Sequence, residues 1–231
     1  MLEKIYTIPV NEAFDECSND PSLGCPFCRL RDKTENDSLE HILGDAMMEP
    51  STRIETNEKG FCRRHYDMML TRKNRLGMAL MLESHMIELR KSLDASSLSE
   101  LVSGKGAKAI ARIKELSETC YVCERVESML THMIENAALL WDTEKEFRDK
   151  TAKQPYFCLT HYREFLLLGK AEIKGRRYND FASEIKKIEL AAFDSIAADV
   201  SHFCKKFDYR YENEPWGTAK DAPDRAVKFL S

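Results

Sequence analysis

The sequence predicts an all-α protein, and three observations predict it. Prolines fall at 9, 21, 26, 50, 155, 215 and 223, leaving 51–154 and 156–214 free of the residue that breaks helix interiors. Apolar residues recur at helical spacing: Ala79, Leu82, Met86, Leu89 and Leu93 form one stripe, and Phe181, Ile185, Ile188, Ala192, Ile196, Val200, Phe203 and Phe207 form a longer one. No run of strict apolar–polar alternation bounded by turn residues supports a strand.

The 231 residues suffice for one large domain or two small ones. A 43% apolar and 32% charged composition suits helices with apolar stripes and charged outer faces. A net charge of −4 opposes a main role in coating nucleic acid or an anionic membrane. The N-terminal stretch carries Glu3 and lacks the apolar core of a signal peptide, and no apolar run matches a spanning helix. A cytoplasmic location is therefore expected, where eight cysteines point to metal or redox chemistry rather than disulfides.

Those cysteines carry an internal duplication. Cys25-Pro-Phe-Cys28 is followed by Phe61-Cys62-Arg-Arg-His65-Tyr66, and Cys120-Tyr-Val-Cys123 by Phe157-Cys158-Leu-Thr-His161-Tyr162. The first element recurs after 95 residues and the second after 96, with Arg53 and Thr56 matched by Arg148 and Thr151. Ordered ligand-type residues with matching flanks constitute a repeat. A stretch rich in Ser and Gly at 94–107 reads as a linker. The expected organisation is a first helical repeat over 1–95, a second over 107–178, and a C-terminal helix and aromatic tail over 179–231 locking the halves together.

The repeated residues suit zinc, which takes four thiolate or imidazole ligands in a tetrahedron; three cysteines and one histidine are a recognised structural set. Two cysteines three positions apart on a tight turn can face one ion, and Gly24 and Pro26 suit such a turn. In Cys-x-x-His the side chains share one face if a helix starts there, and its N-terminal dipole favours a thiolate. Chain order assigns Cys25, Cys28, Cys62 and His65 to one zinc, and Cys120, Cys123, Cys158 and His161 to a second. An iron–sulfur cluster on the same ligands is the alternative, although the spacing fits none of the common cluster motifs. A dithiol redox role for Cys25 and Cys28 lacks the βαβ context and has no proline in the second copy.

Other candidates read as ordinary structure. Cys17, His202 and Cys204 stand outside the repeat and are expected to be packed. His85 with Glu88, beside Glu83, and His132 with Glu135 read as helix-surface pairs. Arg63, Arg64, Arg72, Lys73 and Arg75 form a basic cluster suited to phosphates, but the second half offers Leu159, Thr160, Leu168, Gly169 and Lys170 instead. The aromatic tail from Phe203 to Gly217 is expected to pack back over the core, with Pro223 in the first turn of a final helix capped by Asp221. There is no phosphate loop, nucleophile elbow or His-Glu-x-x-His motif.

The chain resembles a bacterial family of unknown function, some members of which are labelled ABC-transporter substrate-binding proteins. The resemblance rests on Ile8-Pro-Val-Asn11 with Ala13-Phe14, the four cysteine motifs, Thr56-Asn57, Gly60, Asn74-Arg-Leu-Gly-Met-Ala-Leu80, and Phe207-Asp-Tyr-Arg210 followed by Pro215-Trp-Gly217, Lys220-Asp-Ala222 and Arg225-Ala226. It spans nearly the whole chain, and it implies no particular activity. Where the family pattern has Ser-Tyr-Met-Glu, this chain has Ala46-Met47-Met48-Glu49. The expected role is a cytosolic, zinc-stabilised scaffold for another protein; a nucleic-acid regulator using the cluster at Arg63 and a thiol or iron–sulfur redox protein are the alternatives.

Overall fold

A computed structural model describes residues 3–94 and 107–231. Among them are eleven α-helices and no strands, as the proline spacing and periodicity predict. We number the helices α1 (Glu3–Asn19), α2 (Pro26–Leu43), α3 (Pro50–Lys59), α4 (Arg63–Thr71), α5 (Arg75–Asp94), α6 (Ala107–Glu118), α7 (Tyr121–Thr143), α8 (Lys145–Thr151), α9 (Leu159–Glu172), α10 (Arg176–Lys205) and α11 (Ala222–Leu230). Most of the stretch expected as a linker lies outside the described residues. Six of the seven prolines sit in loops or the first turn of a helix, but Pro9 lies within α1.

The chain divides by its internal contacts into two units. One comprises Met1–Asp32 with Leu130–Ser231, the other Lys33–Met129. This differs from the sequential halves suggested by the repeat, since the N-terminal residues group with the C-terminal ones.

The core of the first unit is aromatic. Phe14, Phe27, Phe147, Phe157, Phe165 and Phe181 are fully buried. Their rings meet at 4.7 Å (Phe14–Phe147), 4.9 Å (Phe27–Phe165) and 4.8 Å (Phe165–Phe181), within the range where tilted and edge-on pairs add to area burial. Gly169 lets α10 approach α9, because a Cβ there would stand 2.7 Å from the Phe181 ring. The long C-terminal helix is present as α10, with Phe181, Ile185 and Ile196 buried. Near its C-terminal end Phe203 meets Phe207 and Trp216 at 5.4 and 5.6 Å, yet Phe207 and Tyr209 remain largely exposed. The tail packs on itself more than the sequence suggests; Ala219, Ala222 and Phe229 make its buried anchor. Asp221 takes the cap position of α11, but its carboxylate binds Arg225 at 3.0 Å rather than the helix amides.

The second unit is built around Leu39, Ile42, Leu43, Phe61, Met69, Met78, Met81, Tyr121, Val122 and Val126. On α5 the buried face runs through Met78 and Met81, while Ala79, Met86 and Leu93 of the expected stripe are exposed. The cause is that α5 is apolar on more than one side, with Leu76 and Ile87 also outward, so spacing alone does not choose the inner face.

The duplicated flanks do the same work in both copies. The Arg53 guanidinium donates to the Met47 and Leu80 carbonyls at 2.8 and 3.0 Å; that of Arg148 donates to the Trp141 and Asp142 carbonyls at 2.9 and 3.2 Å. The buried hydroxyls of Thr56 and Thr151 each donate one turn back along their own helix.

Candidate metal centres

Each of the eight ligand-type residues sits at a helix N-terminus. Cys25 and Cys120 directly precede α2 and α7 or their first residue, and Cys28 and Cys123 lie in the first turns of those helices. Cys62 and Cys158 are the N-caps of α4 and α9, with near-identical backbone angles (φ −71°, ψ 162° and φ −60°, ψ 155°), and His65 and His161 follow three positions on. Partial positive charge and unpaired amides at such ends favour thiolates. Gly24 makes the entry to α2 possible: its φ is +77°, and a Cβ would stand 2.5 Å from the Tyr156 hydroxyl.

The structure gathers all eight residues into two groups, but not the two that chain order suggests. Cys25 and Cys28 join Cys158 and His161; Cys62 and His65 join Cys120 and Cys123. The assignment of Cys25, Cys28, Cys62 and His65 to one ion, and of Cys120, Cys123, Cys158 and His161 to another, is therefore corrected: the two copies exchange their Cys-x-x-His elements. Each element forms its own helix start, and the repeat fixes their order along the chain without fixing which starts meet in space.

The spacing of the donor atoms fits a tetrahedral ion. With metal–sulfur and metal–nitrogen bonds near 2.3 and 2.0–2.1 Å, tetrahedral edges are about 3.8 Å between sulfurs and about 3.6 Å from sulfur to nitrogen. In the first unit His161 Nδ1 lies 3.6, 3.3 and 3.2 Å from the sulfurs of Cys25, Cys28 and Cys158, and Cys28 Sγ lies 3.5 Å from Cys158 Sγ. In the second, His65 Nδ1 lies 3.2, 3.2 and 3.5 Å from the sulfurs of Cys62, Cys120 and Cys123, and Cys62 Sγ lies 3.8 Å from Cys123 Sγ. None of the eight cysteines is in a disulfide.

Within each group the surroundings favour ionisation of one sulfur over the others. Hydrogen bonds from Cys25 and Cys28 draw the Cys158 thiol far down, while burial pushes Cys25 well up and contact with Cys158 pushes Cys28 to about 12. Burial raises Cys120, but hydrogen bonding from His65 and backbone amides outweighs it and brings the thiol to about 6. Burial pushes Cys123 to about 12. Burial also opposes protonation of His65, yet Cys120 and Glu35 lift it to about 9.

The two centres differ around their histidines. His65 Nε2 lies 2.9 Å from Glu35 Oε1, and the other oxygen of this buried carboxylate accepts from Arg64 at 2.7 Å. His161 instead lies against the Phe27 ring, with centroids 6.0 Å apart. Beside Cys158, the buried Glu189 accepts from the Phe157 amide at 3.2 Å, and burial lifts its carboxyl to about 7. Neither glutamate was singled out from the sequence, since each is one acid among many on a charged helix.

The remaining candidates fall outside the centres. Cys17 is buried in α1, its thiol pushed to about 11 by burial, and Cys204 is exposed. His202 Nε2 donates to the Pro215 carbonyl at 3.0 Å. His132 and Glu135 make the expected surface pair at 3.1 Å. His85 does not pair with Glu88, which binds Lys91 at 2.6 Å. It lines a cavity of about 410 Å³ with Asn57, Glu58, Arg112 and Leu116, and among the described residues its buried Nδ1 has no hydrogen-bond partner. In the basic cluster Arg63 binds Asp67 at 2.9 Å, Arg64 binds Glu35, and Arg72 reaches Glu40 at 3.7 Å.

A family model described as a family of unknown function, DUF6062, matches residues 1–231. The chain belongs to the DUF6062 family. No curated protein and no solved structure matches it, so the centres of this DUF6062 protein are understood from their own chemistry. Among the described residues no helix is long and apolar enough to cross a membrane.

Proposed function

We propose that this DUF6062 protein is a cytosolic helical scaffold stabilised by two zinc ions, and that it works by binding another protein. The observation that carries the metal reading is the donor set: two groups of three sulfurs and one imidazole nitrogen, each with all ligand atoms within 4.8 Å of one another. Four protein ligands fill a tetrahedral site and leave no open position for a catalytic water. Each ion would join two helix starts far apart in the sequence, those of α2 and α9 at one centre and those of α4 and α7 at the other, which makes metal binding part of folding; such sites contribute roughly 10 kcal/mol or more.

A protein partner is supported by apolar residues left on the surface of α10 and α11. Leu190, Phe193, Val227 and Leu230 are each at least half exposed, and apolar groups clustered outward mark interaction surfaces more often than stray ones do. The nucleic-acid reading is weakened by the acidic partners of Arg63, Arg64 and Arg72.

Elemental analysis with a visible spectrum, on protein purified without oxygen, tests the metal reading. Two zinc ions per chain and no colour are expected. Iron with visible absorption overturns the proposal in favour of redox chemistry at the same eight ligands.

A further inference from the structure

The two centres are chemically alike but unequally protected. In the Cys25 centre, Cys25, Cys158 and His161 are 2%, 0% and 2% exposed and only Cys28 is half-buried, so no sulfur there is fully exposed. In the Cys62 centre, Cys123 is exposed and Cys62 half-buried, while Cys120 and His65 are buried. The Cys123 and Cys62 sulfurs of this centre are neighbours, 3.8 Å apart. They come from different helix starts, that of α4 and that of α7.

From this geometry, and resting on the metal reading above, we infer that Cys123 and Cys62 form an oxidation site at which a peroxide-class oxidant discharges the metal of this centre alone. Ligation to the cation would keep Cys123 a thiolate despite the partial desolvation that opposes it; that sulfur attacks the peroxide O–O bond, giving a sulfenic acid and releasing hydroxide. The Cys62 thiolate then attacks that sulfur; the S–O bond breaks and a second hydroxide leaves. Two thiolates lose two electrons to form one disulfide, the peroxide gains them, and two solvent protons convert the hydroxides to water. The metal departs as a dication, because only Cys120 and His65 remain to hold it. The Cys25 centre has no fully exposed sulfur, Cys28 being half-buried and Cys25 and Cys158 buried, so the oxidant reaches it more slowly; susceptibility follows exposure as well as thiolate character.

The test uses the full chain with Cys204→Ser, which removes the other exposed thiol. Its zinc content is measured first; a chain without zinc fails the metal reading itself, before any oxidant is added. Hydrogen peroxide is then titrated in with a chromogenic zinc indicator, and disulfides are mapped by alkylation, digestion and mass spectrometry. Release of one zinc per chain at least tenfold faster than the second, with a Cys62–Cys123 disulfide at the end of the first phase, is the expected result. Loss of both ions at one rate, a first disulfide between Cys25 and Cys28 or between Cys120 and Cys123, or full retention of both ions overturns the inference.

Discussion

Glu35 Oε1 lies 2.9 Å from His65 Nε2, on the far side of the imidazole from the three sulfurs that its Nδ1 faces. Both side chains are buried, and Arg64 holds the other carboxylate oxygen. A carboxylate at the second nitrogen of a ligating histidine fixes the tautomer and ring orientation and raises its basicity. Glu35→Gln keeps the shape of the side chain and loses that charge. The expected outcome is an affinity for zinc about 10–100-fold weaker at this centre, with the Cys25 centre unaltered. Competition with a chelator of known affinity, resolving two binding steps, reads both numbers; equal weakening of the two steps would contradict the assigned role.

Gly24 combines a backbone angle that side chains rarely adopt with no room for a Cβ beside Tyr156. Gly24→Ala is expected to cost about 1–3 kcal/mol from the backbone conformation alone. Adding Tyr156→Phe removes the clashing oxygen and should recover part of the remaining loss. Urea denaturation of the zinc-loaded single and double variants checks this, and an undisturbed Gly24→Ala midpoint would contradict it.

Phe165 sits among Phe27, Phe157 and Phe181, fully buried, with ring centroids 4.9, 5.3 and 4.8 Å away. Phe165→Ala removes all three contacts and leaves a cavity. A loss of about 3–5 kcal/mol is expected, measured by denaturant unfolding with zinc in excess.

His85 gives a pH dependence of defined sign. Burial, aided by the positive charge of Arg112, holds its pKa below the ordinary 6.5, while the Asn57 backbone opposes the shift; Glu58 and Glu88 are the acids lining the same cavity. The unfolded chain then binds a proton at this residue that the folded chain refuses, so its contribution to stability is present above pH 6.5 and is lost as pH falls below it. The melting temperature of His85→Gln should therefore drop less between pH 7.5 and pH 5.5 than that of the unaltered protein. Equal drops would show that His85 does not titrate as described.

Much of this was legible in the sequence because its causes are local. A Cys-x-x-His element sets up its own helix start, Gly24 marks its own turn, and Thr56, Arg148 and Thr151 act within a few residues of themselves. The exchange of elements was not legible, because the helix starts that meet lie far apart in the sequence, 133 positions from Cys28 to His161 and 55 from His65 to Cys120, and no motif records which of them meet. The inner face of α5 was hidden because Leu76, Met86 and Ile87 leave no polar side to define it. Glu35 was hidden because its partner lies 30 positions away, and nothing in α2 distinguishes it from its acidic neighbours.

The exchanged pairing is the central claim, and removing one ligand tests it most directly. Cys158→Ser, held in limiting zinc and pulsed with a thiol alkylator, is read by mass spectrometry residue by residue. The account predicts that Cys25 and Cys28 gain label and one zinc is lost, while Cys62, Cys120 and Cys123 react as in the unaltered protein. Label gained at Cys120 and Cys123 instead, with Cys25 and Cys28 still protected, would contradict it and restore the pairing in chain order.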